Sequence, residues 1–229
     1  MFGELMLRGQ MHGLHHWMLF ASANEIFVYN LVEGQGKAES LLDGLTAVTH
    51  VVVDANVGLL LVATQPSSLD AVVDAYRFKV SRAPRPMFGG QTKTASVVFT
   101  VDEHSKKQVY KGKRIGGLAV DDDQGILYVA DTARQLIQTV FYNAMLPETN
   151  TIYEKLPRLD QVTSLAVDYF GGLFWSAGLG GKADGAITKA KADLPMQVEP
   201  GPLTKSVEAA GSLCFRNENL YFAGVATTS

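Results

Sequence analysis

The sequence predicts an all-β fold in a single domain over 1–229: a β-propeller of about five blade-like repeats, incomplete on its own or part of a six-bladed one. Three observations predict it. A strand-pair unit recurs along the chain, with Asp121 of IGGLAVDDDQGILYVADT and Asp168 of VTSLAVDYFGGLFWSAG at the same place, 47 residues apart. Each strong copy is followed by a third segment in which polar and apolar residues alternate, as in a half-buried strand. No stretch sustains apolar residues at i, i+3, i+4 and i+7 over three turns, and only Ser68–Tyr76 and Lys189–Leu194 leave room for a turn of helix.

The copies can be followed from the N-terminus. A degenerate first unit is Trp17–Ser22 (WMLFAS) with the alternating run Glu25–Leu31. The second is Val48–Thr64 (VTHVVVDANVGLLLVAT) with Val72–Val80. About twenty extra residues then separate Gly58 from Gly125. They comprise a Pro/Gly/Arg loop over Ser81–Gly90 and a hairpin running from Ser96–Val101 through Glu103–Lys106 to Gln108–Tyr110, an excursion at about 82–111. The third unit is Ile115–Thr132 with Leu136–Tyr142 and a fourth segment, Thr149–Leu156. The fourth is Val162–Gly178 with Ala186–Ala190, and the fifth is Ala210–Gly224, where Arg216 replaces the aspartate. In Asp121–Gly125 and Asp168–Gly172 the carboxylates can bond nearby amides and glycine tolerates positive φ, so these aspartates read as structural. Cys214 aligns with Ala119 and Ala166, which predicts a buried, inert thiol.

Composition narrows the function classes. The 229 residues are 47% hydrophobic and 19% charged, which excludes a disordered chain and supplies a sizeable core. A net charge of −3 gives no global field to hold a polyanion, so no nucleic-acid partner is expected. One cysteine excludes an intramolecular disulfide and a cysteine zinc cage. The apolar stretches Val51–Val53 and Val57–Ala63 are interrupted by Asp54 and Asn56, far short of the ~20 residues of a transmembrane helix. Trp17-Met18-Leu19-Phe20 before Ala21-Ser22-Ala23 is too short for a signal-peptide core and follows Glu4 and Arg8, so a soluble chain without a cleaved signal peptide is expected. The compartment is left unassigned.

The unit GLAVDDDQGILYVADT resembles the repeat of NHL-type, YWTD-type and gluconolactonase-like β-propellers, and the resemblance runs from about Trp17 to Gly224. It implies the propeller fold but divides on function, because that superfamily includes scaffolds, receptors and hydrolases. A gluconolactonase-like activity would imply carboxylates and asparagine at the central channel, holding a divalent cation that polarises a lactone or ester carbonyl. The residues at the four inner-strand starts are instead Thr49-His50, Gly116-Gly117, Thr163-Ser164 and Gly211-Ser212. Asp160 and Glu208 align in the preceding loop, but Thr46 and Lys113 take that place in the other copies. His12, His15 and His16 (HGLHH) precede the repeats and have no identifiable third ligand, and Gly178–Lys182 lacks the spacing of a phosphate loop. No metal and no cofactor are expected.

These readings favour a non-enzymatic β-propeller scaffold, an accessory subunit of a larger assembly whose open strand edges a protein partner covers. The contact residues expected on the excursion are Arg82, Arg85 and Phe88 in the loop. The basic run HSKKQVYKGKR adds Lys106, Lys107, Tyr110, Lys111, Lys113 and Arg114, a surface suited to an acidic partner. The alternative is a gluconolactonase-like hydrolase with a degenerate channel site of His50, Asp160 and Glu208.

Overall fold

The computed structural model of the chain describes residues 17–30, 38–83, 96–168, 170–178, 185–191, 201–207, 210–216 and 219–224. They form five antiparallel sheets in sequence order, each a simple meander. Blade 1 holds β1 (Trp17–Ser22), β2 (Glu25–Asn30) and β3 (Glu39–Leu42). Blade 2 holds β4 (Val48–Asp54), β5 (Leu59–Ser67), β6 (Asp70–Ala83) and β7 (Ser96–Gly112). Blade 3 holds β8 (Ile115–Asp121), β9 (Ile126–Asp131), β10 (Leu136–Phe141) and β11 (Glu148–Glu154). Blade 4 follows a 3-10 turn at Leu159–Gln161 and holds β12 (Val162–Val167), β13 (Gly172–Ala177), β14 (Gly185–Lys191) and β15 (Gly201–Val207). Blade 5 shows β16 (Ala210–Arg216) and β17 (Asn219–Gly224). The inner strands β4, β8, β12 and β16 pack against one another in succession, the arrangement of a β-propeller.

The core lies between blades, and this explains why the second strand of each unit reads as a continuous apolar run. Along β5, Leu60 and Val62 point to blade 1 and join Leu19, Ile26 and Val28, while Leu61 and Ala63 point to blade 3 and join Leu118, Leu127 and Val140. Along β9, Leu127 and Val129 face blade 2, and Tyr128 and Ala130 face Leu165, Leu173 and Trp175 of blade 4. A strand covered on both faces has no polar side to display, so β9 and β13 are buried at every position. Each fully buried Leu, Ile or Val in these layers contributes about 1.5–3 kcal/mol.

The turn aspartates have the expected structural role. Asp54 accepts from the amides of Asn56 and Val57 at 2.9 and 3.1 Å, Asp121 from Gln124 at 3.1 Å, and Asp168 from Phe170 at 2.9 Å and from Gly172. Gly58 and Gly125 close their turns at φ 69° and 66°, where glycine carries no steric penalty. Asp54 also receives the hydroxyl of Tyr142, so a turn of blade 2 is fastened to blade 3.

Two local expectations change. Ser68–Tyr76 is the β5–β6 turn and the start of β6, not helix. The expected separate hairpin over 96–110 is one strand: β7 pairs with β6 from Ala71↔Gly112 to Ala83↔Ser96. The polar run Glu103–Lys106 is a bulge between Arg77↔Asp102 and Ala75↔Lys107, held by the Arg77 amide donating to Ser105 Oγ at 2.7 Å. The excursion is therefore an elongation of the outer hairpin of blade 2, in which β6 and β7 run 14 and 17 residues against six or seven in β8–β11.

Candidate functional site

A bulge is repeated at the second residue of the inner strands β4, β8 and β12. Val48 opposes Thr64 and His50 opposes Ala63, so Thr49 is the extra residue; Gly116 and Thr163 take the same role in β8 and β12. At Gly116 a Cβ would lie 2.2 Å from the Val162 carbonyl oxygen and 2.4 Å from Thr132 Cγ2. At Gly117 it would lie 2.8 Å from the Leu165 amide nitrogen. Only glycine lets β8 approach β12 this closely.

His50 lies against the backbone of Gly116 and Thr163, reaching past blade 3 towards blade 4. Both ring nitrogens are sealed from solvent and neither closes a well-formed hydrogen bond. Burial lowers its pKa to about 4, against a smaller opposing effect from the facing backbone of Thr163 and Gly116. The imidazole is neutral at pH 7. The neighbouring hydroxyls tie blades together: Thr163 Oγ1 lies 2.9 Å from Ser176 Oγ, which donates to the Gly211 carbonyl at 2.8 Å, and Ser164 Oγ accepts the Leu213 amide at 3.0 Å.

Of the alternative channel trio, His50 is sealed against the backbone of Gly116 and Thr163, and Asp160 is exposed on the 3-10 turn, where its carbonyl accepts from Arg114 Nη2 at 3.4 Å. Glu208 lies outside the described residues, as do Arg85, Phe88 and the HGLHH histidines. Among the described residues no three His, Cys, Asp or Glu side chains converge, so they do not furnish a cage for a divalent cation.

The basic run divides between internal ties and surface. Tyr110 is buried and donates to Gln138 Oε1 at 2.8 Å; burial and the nearby Asp131 push its phenol pKa up. Lys106 pairs with buried Asp74 at 3.1 Å, and that bond raises the lysine pKa. Lys107 Nζ donates to the Ala144 carbonyl at 2.8 Å, and Arg114 Nε to Thr132 Oγ1 at 2.8 Å. Asp131 accepts the amides of Lys113 and Arg114 at 2.8 and 3.2 Å, while the side chains of Lys111 and Lys113 are exposed. The Arg82 backbone belongs to β6.

Sequence reasoning passed over two groups. Arg77 and Lys79 stand exposed on the elongated hairpin, and the Arg77-Phe78-Lys79-Val80 alternation was their signal. Val57, Met145 and Leu146 are exposed at turn and loop tips, where no pattern in the sequence marks them.

No protein-family model matches the chain, and no curated protein matches it. Solved structures do. The chain is similar to a luciferin-regenerating enzyme at 14% identity and TM-score 0.46, over 90% of this chain and 79% of that one. A gluconolactonase from Xanthomonas campestris aligns at 13% identity and TM-score 0.45, over 91% of this chain and 79% of that one. A chain of the mitotic checkpoint complex aligns at 13% identity and TM-score 0.55, over 92% of this chain and 56% of that one. At these identities the likeness concerns the fold alone.

Proposed function

We propose that the chain is a non-enzymatic β-propeller interaction subunit, an accessory part of a larger assembly. The observation that carries this reading is the arm formed where β6 and β7 continue past the other blades. The arm is held rather than loose. Phe78 is buried against blade 1 and stacks on Phe99 at 6.1 Å and 14°, with Val80 and Val101 packed beside them. Its other face presents Arg77, Lys79, Ser81 and Thr100 to solvent. A preordered projecting hairpin loses little entropy when a partner covers it. Arg82 continues β6, Arg85 and Phe88 follow it in the sequence, and Lys111 and Lys113 add exposed cations near the base of the arm.

The test is to trim the arm at Ser81 and Val98, which face each other across the ladder, join them with an Asn-Gly turn, and in the same trimmed chain reverse the remaining exposed cations with R77E/K79E. Affinity purification from cells that express the protein is expected to recover a companion with the full chain and to lose it with the trimmed chain at an unchanged melting temperature. A full chain that purifies as a lone monomer overturns the reading, and so does a companion retained after trimming.

A hydrolase site of His50, Asp160 and Glu208 is the second reading; the His50 imidazole is neutral at pH 7, but burial makes it a weak base, so this reading requires the inner strands to open it to a substrate. A melting temperature that climbs with calcium concentration, together with lactone hydrolysis lost in His50→Ala, would put this reading first.

A further inference from the structure

We propose that the end of the propeller carrying the blade 2 turn, the blade 3 turn and the β10–β11 loop is a docking surface for a basic segment of a partner protein with interleaved apolar side chains. This rests on the interaction reading above. The three pieces are joined into one surface. Asn56 Nδ2 donates to the Asp122 carbonyl at 3.1 Å and to Asp123 Oδ1 at 3.4 Å, linking the first turn to the second. Phe141 pairs with Ile126 across the ladder, and Asn143 packs over Gly125, where a Cβ would lie 2.8 Å from its Nδ2. Lys107 on the base of the arm bonds the Ala144 carbonyl, which fixes the loop from the other side.

This surface is apolar where a soluble chain is normally polar. Met145 is 90% exposed, Leu146 80%, Val57 53% and Phe141 38%. Four large apolar side chains exposed on turns and a loop that are bonded to one another mark a contact surface.

Charge selects the occupant. Asp121, Asp122 and Asp123 belong to the blade 3 turn that Asn56, next to Val57, bonds, and Glu148 follows the loop at the start of β11. Among the described residues of these turns and this loop, Lys107 is the cation in contact. The pairs nearby on the arm balance: Lys106 with Asp74, and Arg77 across from Asp102. Burial raises the Asp122 carboxyl pKa, Asp123, Asp54 and Asp121 raise it further, and a backbone hydrogen bond partly opposes them, so negative charge is crowded at this turn. A segment with Lys or Arg beside these aspartates and Leu, Ile or Phe on Met145 and Leu146 satisfies both features; an acidic segment would be repelled.

The probe is a library of random twelve-residue peptides displayed on phage and panned against the intact chain. Enriched peptides are expected to combine basic and large apolar residues. Their affinity is expected to fall at least tenfold in D122K/D123K and in M145S/L146S, to weaken as salt rises, and to stay unchanged in K111E/K113E. Asp122 is half-buried and the other residues are exposed, and unchanged melting temperatures confirm that the variants fold. Neutral or acidic peptides, no enrichment, or affinity indifferent to the first two variants overturns the proposal. Purification from cells separates the two ideas. A companion lost on arm trimming but retained by the D122K/D123K/M145S/L146S chain overturns this surface and leaves the interaction reading standing, whereas a full chain without any companion removes the interaction reading itself.

Discussion

His50 is where a single side chain has the largest consequence. An imidazole with an ordinary value of 6.5 in the unfolded chain and about 4 in the fold is worth about 3 kcal/mol to the native state when neutral. The sign follows from which state binds the proton. Between pH 4 and 6.5 the unfolded chain takes it up and the folded chain does not, so the contribution is complete above 6.5 and is lost as pH falls towards 4. His50→Gln keeps a polar group for the backbone of Gly116 and Thr163 but cannot titrate. Urea unfolding at pH 4.5, 5.5 and 7.5 should show the wild type losing stability more steeply than this variant below 6.5. Parallel curves would mean that the ring is hydrated and titrates as a surface histidine. The placement of His50 at an inner-strand start was legible in the sequence, since the repeat register supplies it. Its enclosure was not, because that depends on the backbone of Gly116 and Thr163, residues far along the chain that only the blade packing brings beside it.

At the scale of elements, the strands that face two blades were the most legible. Leu59–Ala63, Ile126–Ala130 and Leu173–Trp175 are apolar without interruption because both faces are covered, and that pattern belongs to the chain itself. The arm was less legible, for a physical reason: Glu103-His104-Ser105-Lys106 has the composition of a turn, and only the length of the facing strand turns it into a bulge. The same pairing makes a specific prediction. Phe99 is half-buried on Phe78, so Phe99→Ala should cost about 1–2 kcal/mol, less than the ~3–5 kcal/mol of a fully buried Phe. The main effect should be local: trypsin should cut the arm at Arg77 and Lys79 faster, while the near-ultraviolet signal of Trp175 in the blade 3–4 layer stays unchanged. Cleavage at the wild-type rate would show that the stack does not hold the arm down.

For the whole molecule, stability resides in the interfaces between successive blades, because every core layer is shared by two sheets. Such an array is only as cohesive as its closest approach allows, and β8 against β12 is where backbone meets backbone. Gly116→Val tests this. The added Cβ meets the Val162 carbonyl oxygen at 2.2 Å, and a backbone atom cannot step aside as a flexible side chain can. Blades 3 and 4 must part, exposing the layer of Tyr128, Leu165 and Trp175, so the expected loss is about 3 kcal/mol or more. Gly44→Ala is the matched comparison. Gly44 has positive φ, at 68°, but a Cβ there meets nothing within 4 Å, so the cost should be confined to backbone strain of about 1 kcal/mol. Urea midpoints of the two variants measured side by side should differ by about 2 kcal/mol or more in stability. Equal midpoints would show that the inner strands of blades 3 and 4 are not in contact, and with that the radial stacking of the sheets would fail.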